Sequence, residues 1–130
     1  MIVVDSSGWL EYFMNGPQAE RYADYLAKSS KVLTPTVVLY EVFKVLKRDL
    51  SKDAALDAAA QMGETEIVPL TDSIAYHAAN MSLEHHLAMV DSMVYATADA
   101  YKAKLVTSDS DFKNLPNVIY LDSESDENAP

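Results

Sequence analysis

Residues 104–112 read KLVTSDSDF, a short apolar run that leads through Thr107 and Ser108 to two aspartates, Asp109 and Asp111. The β-branched and apolar residues at the start of this stretch predict a buried strand, and the aspartates follow it almost at once. Carboxylates placed close together at a strand end are unfavourable, because burial and mutual repulsion both oppose their ionisation. The other acidic residues of the chain indicate what compensates them.

Three further segments have the composition of strands. Residues 2–4, IVV, and 118–121, VIYL, are β-branched or apolar, whereas residues 65–70, TEIVPL, are a weaker candidate because Pro69 interrupts them. Helical patterns lie between these segments. Strands that alternate with helices predict a parallel sheet covered by helices, which is an α/β fold.

Capping residues and apolar spacing predict six helices. Ser6 or Ser7 is expected to cap the first helix, Pro17 and Pro35 to start the second and third, and Gly63 to end the fourth. The predicted helices cover approximately residues 9–14, 17–28, 36–48, 51–62, 71–83 and 90–104.

The composition predicts one soluble domain. The chain has 130 residues, of which 49% are hydrophobic, and it has no cysteine, so disulfides and thiolate metal sites are excluded. Asp5 interrupts the apolar N-terminal stretch, and no apolar run approaches the roughly 20 residues of a membrane span. We therefore expect a cytoplasmic protein without membrane contact.

The net charge of −10 argues against a protein that holds nucleic acid by bulk charge alone. Four of the acidic residues lie in the C-terminal sequence DSESDENAP, whose composition is typical of a disordered terminus. We therefore expect a folded domain over residues 1–121 and a disordered acidic tail over residues 122–130.

Acidic residues follow the first predicted strand as well as the strand at 105–107. Asp5 directly follows residues 2–4, and the carboxyl ends of parallel strands meet at one edge of a sheet, where ligands bind. Glu41 lies at the border of an apolar helix stripe, and Asp91 opens a helix that is apolar nearly all round. Each acid also has an ordinary explanation, namely helix capping for the aspartates and a solvated helix position for Glu41.

Taken together, the four acidic segments resemble the PIN-domain ribonucleases, in particular the VapC-type toxins of bacterial and archaeal toxin–antitoxin systems. The segments are MIVVDSS at 1–7, TPTVVLYEV at 34–42, VDSMVYATA at 90–98 and LVTSDSDF at 105–112, in the order found in the family. The resemblance covers nearly the whole chain. It implies a PIN-like α/β fold, with a central parallel β-sheet flanked by α-helices.

The resemblance implies that Asp5, Glu41, Asp91 and Asp109 form an acidic quartet that binds Mg²⁺ or Mn²⁺ and hydrolyses RNA. We expect Asp5 and Asp91 to be the most direct ligands. A set of oxygen ligands without histidine suits these hard cations, which would also compensate the repulsion between the carboxylates. Asp99 is left out, because it lies about 12 Å beyond Asp91 along the helix.

Residues around the quartet are assigned supporting roles. Thr107 matches the Thr or Ser that often precedes the fourth acid of the family, and Ser6 is a second hydroxyl expected near the ligands. Asp111 is interpreted as a turn or cap residue that contacts the metal, if at all, through water. Ser108 departs from the family pattern, since many relatives carry a basic residue there.

The resemblance also implies an RNA substrate, a cognate antitoxin and a homodimer. Lys44 and Arg48 are candidates for contact with RNA or a partner, with a solvated polar face as the alternative. The early helices are rich in large apolar side chains, which predicts either core packing or an interface. These side chains are Trp9, Leu10, Tyr12, Phe13, Met14, Tyr22, Tyr25 and Leu26.

Two other functions remain open at this point. One is a PIN-like scaffold or binding module without catalysis, although the complete quartet speaks against it. The other is a phosphoacceptor receiver domain, which also gathers aspartates and Mg²⁺ at strand ends. A receiver needs adjacent acids after the first strand, whereas Asp5 is followed by two serines.

Overall fold

The computed structural model describes residues 1–122, so the predicted tail, apart from Asp122, lies outside the described residues. The strands are β1 (Ile2–Val4), β2 (Val32–Pro35), β3 (Glu66–Val68), β4 (Lys104–Thr107) and β5 (Val118–Tyr120). They form one sheet in the order β3-β2-β1-β4-β5, and all four pairings are parallel. The predicted α/β fold with a central parallel sheet is therefore confirmed.

Six α-helices accompany the sheet, as predicted. They are α1 (Ser6–Phe13), α2 (Ala19–Leu26), α3 (Thr36–Asp49), α4 (Lys52–Met62), α5 (Asp72–His85) and α6 (Met89–Ala100). The predicted end of the last helix at residue 104 is wrong, because Lys102 takes a left-handed φ of 55° and the chain turns into β4. Within residues 1–122, no helix is long and apolar enough to cross a membrane.

The strand β2 is absent from the prediction, which placed a helix start at Pro35. All four residues of this strand are buried, and it pairs with both β1 and β3. Only Val32 and Leu33 give an apolar signal before Thr34 and the proline, so the run is too short to stand out in the sequence. Pro35 is instead the last residue of β2, immediately before α3.

The cap of α1 also differs from the prediction. Asp5 occupies the N-cap position with extended backbone angles, and its side chain accepts a hydrogen bond from the Gly8 backbone N–H. Ser6 and Ser7, which were expected to cap this helix, are its first two residues. Capping is thus a role of Asp5, as the ordinary explanation of this residue held.

The aromatic side chains of the early helices belong mainly to the core. Trp9 is 3% exposed and Tyr22 is fully buried, and the Trp9 ring stacks on Phe13 with centroids 5.6 Å apart. Tyr12 and Tyr25 are partly buried against the same core. Core packing therefore accounts for Trp9 and Tyr22, whereas Met14 is 40% exposed and an interface formed by the other side chains stays a prediction.

Candidate active site

The neighbouring strands β1 and β4 end side by side, and the side chains that follow them are hydrogen-bonded to each other. The Thr107 hydroxyl donates to Asp5 Oδ2 at 2.7 Å. The Ser7 hydroxyl donates to Asp5 Oδ1 at 2.7 Å, and the Gly8 backbone N–H donates to the same oxygen at 3.3 Å. Three donors from two elements therefore fix a carboxyl group that is 4% exposed.

Burial makes ionisation of Asp5 costly. Removal from water raises the pKa of Asp5 from 3.8 to about 6, against the effect of the hydrogen bonds from Thr107, Ser7 and Gly8, which favour the charged form. The negative charge of Asp109 raises this pKa further. The site thus holds Asp5 in an environment where a nearby positive charge would be strongly favourable.

The turn after β4 presents two more carboxylates. The Asp109 backbone N–H donates to the Thr107 hydroxyl oxygen at 2.9 Å, and the Asp111 backbone N–H donates to Asp109 Oδ1 at 2.9 Å. Asp109 therefore caps the short 3₁₀ helix Ser110–Phe112, and the buried Phe112 ring anchors that helix in the core. Asp111 lies within this 3₁₀ turn, in line with its interpretation as a turn or cap residue, whereas the side-chain cap is Asp109.

Asp91 reaches the same place from α6. Ala88 occupies the N-cap position of this helix, and Asp91 lies in its first turn. One carboxylate oxygen from each of Asp91, Asp109 and Asp111 lies within 4.8 Å of the others. We call these three residues the acidic group. It brings together two predicted site residues and gives Asp111 a more central position than the sequence indicated.

The pKa of Asp91 reports the charges around it. Burial is the largest cause of its rise from 3.8 to about 6, followed by the charges of Asp109, Asp111, Asp5 and Glu41 in that order. Glu41, on α3, therefore lies close enough to act electrostatically on Asp91. The charges of the other three acids of the predicted quartet, Asp5, Glu41 and Asp109, thus all act on Asp91.

These residues fit a divalent cation. The donor set contains carboxylate oxygens and neither histidine nor cysteine, which is the ligand chemistry that Mg²⁺ and Mn²⁺ prefer. Burial is the largest cause of the raised pKa values of Asp5 and Asp91, and no positively charged group of residues 1–122 is among the causes that act on them. Asp91, Asp109 and Asp111 offer the closest set of oxygens, and Asp5 adds a carboxyl group oriented by Thr107.

Within residues 1–122, no hydrogen bond or ion pair joins the acidic group to three predicted supporting residues, Ser6, Lys44 and Arg48. The hydroxyl that binds Asp5 belongs to Ser7 rather than to Ser6. The Lys44 ammonium lies over the Tyr40 ring, 5.3 Å from its centroid, and Arg48 pairs with the adjacent Asp49 at 2.7 Å. The contact of Lys44 and Arg48 with RNA or a partner stays a prediction.

Tyr22 is a site residue that sequence reasoning missed. Its ring is fully buried, and its hydroxyl shares a 2.6 Å hydrogen bond with the Ser108 hydroxyl, next to Asp109. Burial raises the pKa of Tyr22, and the negative charge of Asp5 raises it further, so the phenol lies close to the acids. The sequence offers no signal for this contact, because the two residues are 86 positions apart.

The PIN domain family model matches residues 2–118. The chain therefore belongs to the PIN domain family, in agreement with the resemblance seen in the sequence. This result confirms the predicted fold family and removes the grounds for a receiver-like domain. No curated protein matches the chain in a comparison of sequences.

Solved structures of toxin–antitoxin proteins have a similar fold. A toxin–antitoxin complex from Klebsiella pneumoniae aligns with a TM-score of 0.78 and 19% identity over 92% of this chain and 96% of that chain. VapC20 of Mycobacterium tuberculosis, a sarcin–ricin loop cleaving toxin, aligns with a TM-score of 0.71 and 24% identity over 86% and 92%. DNA-bound VapBC from Salmonella typhimurium aligns with a TM-score of 0.75 and 16% identity over 94% and 97%. At these identities the likeness concerns the fold.

Proposed function

We propose that this PIN-domain protein is a metal-dependent endoribonuclease and the toxin of a VapBC-type toxin–antitoxin pair. The observation that carries the proposal is the convergence of Asp5, Asp91 and Asp109 from three separate segments on one edge of the sheet. Membership of the PIN family and the likeness to toxins of known structure support it.

The carboxylates hold the metal in this proposal. Asp91 and Asp109 would bind Mg²⁺ or Mn²⁺ directly, and Asp5, Glu41 and Asp111 would bind it directly or through water. Asp109 takes the place that the sequence analysis expected for Asp5, because Asp5 lies outside the acidic group. The ion supplies Lewis acidity toward the phosphodiester and lowers the pKa of a bound water. Thr107 and Ser7 orient the Asp5 carboxyl group, so that its position does not depend on the substrate.

The acids also explain how a proton leaves the attacking water. A carboxylate oxygen within hydrogen-bond reach of that water accepts its proton, since general bases act at about 2.6–3.2 Å. Asp5, Glu41 and Asp111 are the candidates for this role, since Asp91 and Asp109 are assigned to the metal. Burial of Asp5 against Thr107 makes it the less accessible of the two aspartates.

A cleavage assay with matched variants tests the proposed activity. Wild type should cleave RNA with Mg²⁺ or Mn²⁺ and should lose activity in excess chelator. Asp91→Asn should lose at least about a hundredfold in rate, because it removes a ligand and a charge at the site. Asp99→Asn is the control, since Asp99 lies on the same helix but is exposed and pairs with His77 at 2.7 Å.

Two results would count against the nuclease proposal. Cleavage by Asp91→Asn at the wild-type rate would exclude the acidic group as the catalytic centre. Intact RNA in every wild-type reaction, over a set of structured and unstructured RNAs, would instead favour a PIN-like scaffold without catalysis.

The proposed partner is a cognate antitoxin that places a basic side chain among the acids. An Arg or Lys there would pair with the carboxylates of Asp91 and Asp109 and compete with the metal. The structural neighbours include toxin–antitoxin complexes, which supports a partner of this kind. Inhibition by an antitoxin peptide should disappear when its basic residue is replaced by alanine, and unchanged inhibition would refute this mode of binding.

A further inference from the structure

A buried hydrogen bond connects α2 to the turn that carries Asp109. Tyr22 on α2 is fully buried, and its hydroxyl lies 2.6 Å from the Ser108 hydroxyl. Ser108 stands between Thr107, the last residue of β4, and Asp109, the cap of the following 3₁₀ helix. The bond therefore ties a core side chain to the backbone segment from which two of the three carboxylates of the acidic group project.

The surrounding packing fixes the position of the Tyr22 ring. A Cβ atom added to Gly8 would lie 2.3 Å from Tyr22 Cε1 and 2.6 Å from Val4 Cγ1, so α1 rests directly on the ring and on β1. Closely packed interiors leave a side chain of this kind no room to shift. The Tyr22 hydroxyl is thus a fixed point beneath the turn.

Two adjacent hydroxyl groups hold the turn in different directions. The Thr107 hydroxyl binds Asp5 on β1's side and accepts from the Asp109 backbone N–H, whereas the Ser108 hydroxyl binds Tyr22. Asp111 is linked to the same turn by its own backbone N–H, which donates to Asp109 Oδ1. Any rotation of the segment would move Asp109 and Asp111 together relative to Asp91 on α6.

We propose that Tyr22, acting through Ser108, is a positioning residue that keeps Asp109 and Asp111 within reach of Asp91. The consequence for metal binding rests on the proposed function, whereas the effect on the turn does not and is measurable in the metal-free protein.

Amide hydrogen exchange of the metal-free protein tests the positioning directly. Tyr22→Phe keeps the ring and removes the hydroxyl, and it should speed exchange of the Asp109 and Asp111 amides about fivefold, the value of one typical hydrogen bond. Ser108→Ala should have the same effect, and the double variant should add nothing. Tyr25→Phe is the control, since no hydrogen bond of its hydroxyl is found within residues 1–122.

Calorimetric titration with Mn²⁺ gives the second readout. Tyr22→Phe and Ser108→Ala should each weaken Mn²⁺ binding about fivefold, while Tyr25→Phe should bind as wild type does. Failure of wild type to bind Mn²⁺ would overturn the proposed function and leave the exchange result to decide the role of Tyr22. The positioning role would be overturned if the Asp109 and Asp111 amides of the variants exchanged at the wild-type rate. It would also be overturned if the amides of α4 were accelerated as much as those of the turn.

Discussion

Asp5 combines two roles at the scale of a single residue. Its carboxyl group caps α1 through the Gly8 N–H and also accepts the Thr107 hydroxyl at the edge of the acidic group. The two roles use different oxygens, Oδ1 for the cap and Oδ2 for the threonine. One residue can therefore satisfy a helix end and contribute negative charge to the site.

The raised pKa of Asp5 predicts a pH dependence of stability in the metal-free protein. Between the ordinary pKa of 3.8 and the folded value of about 6, the folded state binds more protons than the unfolded state, so stability falls as pH rises through this window. Relative to Asp5→Asn, wild type should lose up to about 3 kcal/mol of unfolding free energy between about pH 4 and about pH 7.

Denaturant titrations at several pH values in excess chelator measure this difference. Asp99→Asn serves as a control at an exposed aspartate. A difference between wild type and Asp5→Asn that stays constant over the whole pH range would contradict the raised pKa.

Asp111 is predicted to contribute to metal binding, although the sequence analysis assigned it only a minor role. Its carboxylate belongs to the acidic group, but it is exposed and comes from a short 3₁₀ helix. We expect Asp111→Asn to weaken Mn²⁺ binding about tenfold, the lower end for a residue around a metal site. Calorimetry decides the point, and an affinity equal to that of wild type would restrict the role of Asp111 to the turn.

Sequence reasoning selected the four acids and Thr107, but not the other supporting contacts. Asp5, Glu41, Asp91 and Asp109 were selected because their four segments together resemble those of the PIN-domain ribonucleases, whereas each acid alone had an ordinary explanation. Which of Asp109 and Asp111 lies nearer the metal depends on the path of the turn. The two-residue side-chain period of a strand does not determine that path. Tyr22 was out of reach, since its role depends on a contact between distant segments.

At the scale of elements, the six helices and four of the five strands in residues 1–122 were predictable, and β2 was not. The helix α4 has a capping serine and a terminal glycine in the sequence, and both lie where they were expected. The strand β2 is identified in the structure by its pairing with β1 and β3, which four residues ending in proline cannot reveal. The end of α6 depends on the left-handed φ of Lys102, which the sequence does not indicate because the residue is not a glycine.

The contact between α1 and α2 gives a prediction about Gly8. An alanine there would place its Cβ 2.3 Å from the Tyr22 ring, and α1 would have to move away from β1. We expect Gly8→Ala to lower the unfolding free energy by roughly 1–3 kcal/mol through overpacking. Gly63→Ala is the matched control, because its Cβ would have 3.2 Å to the nearest atom.

Thermal unfolding of the two glycine variants tests whether the added methyl group at residue 8 overpacks the Tyr22 ring or is accommodated by a movement of α1. Gly8→Ala should have the lower midpoint, and its Asp109 amide should exchange faster, since the Tyr22 ring carries the hydrogen bond to the turn. Equal midpoints for Gly8→Ala and Gly63→Ala would show that α1 can move at little cost.

At the scale of the whole molecule, we predict a homodimer. Trp9 and Tyr22 of the early helices are core residues and do not support it, but α5 and the start of α6 expose Tyr76, Leu83 and Met89 by 74%, 80% and 68%. These are the most exposed large apolar side chains in residues 1–122, and the proposed interface requires that they form one patch, since apolar side chains exposed singly are ordinary at a protein surface.

Light scattering tests the dimer and its surface together. Wild type should be a dimer at tens of micromolar, Leu83→Lys should shift it toward monomer, and Leu56→Lys on α4 is a control at another exposed leucine. A wild-type monomer would refute the dimer, and a Leu83→Lys dimer of unchanged affinity would refute the proposed surface.

The central claim is that the carboxylates at this edge of the sheet bind a divalent metal. Diffraction from crystals saturated with Mn²⁺ tests it most directly, because anomalous scattering locates the ion without assumptions about its ligands. We predict an Mn²⁺ ion bound directly by Asp91 and Asp109, and no ion at this position in Asp91→Asn crystals. Wild-type crystals without anomalous density at the acidic group, or with Mn²⁺ bound only by other residues, would contradict the claim.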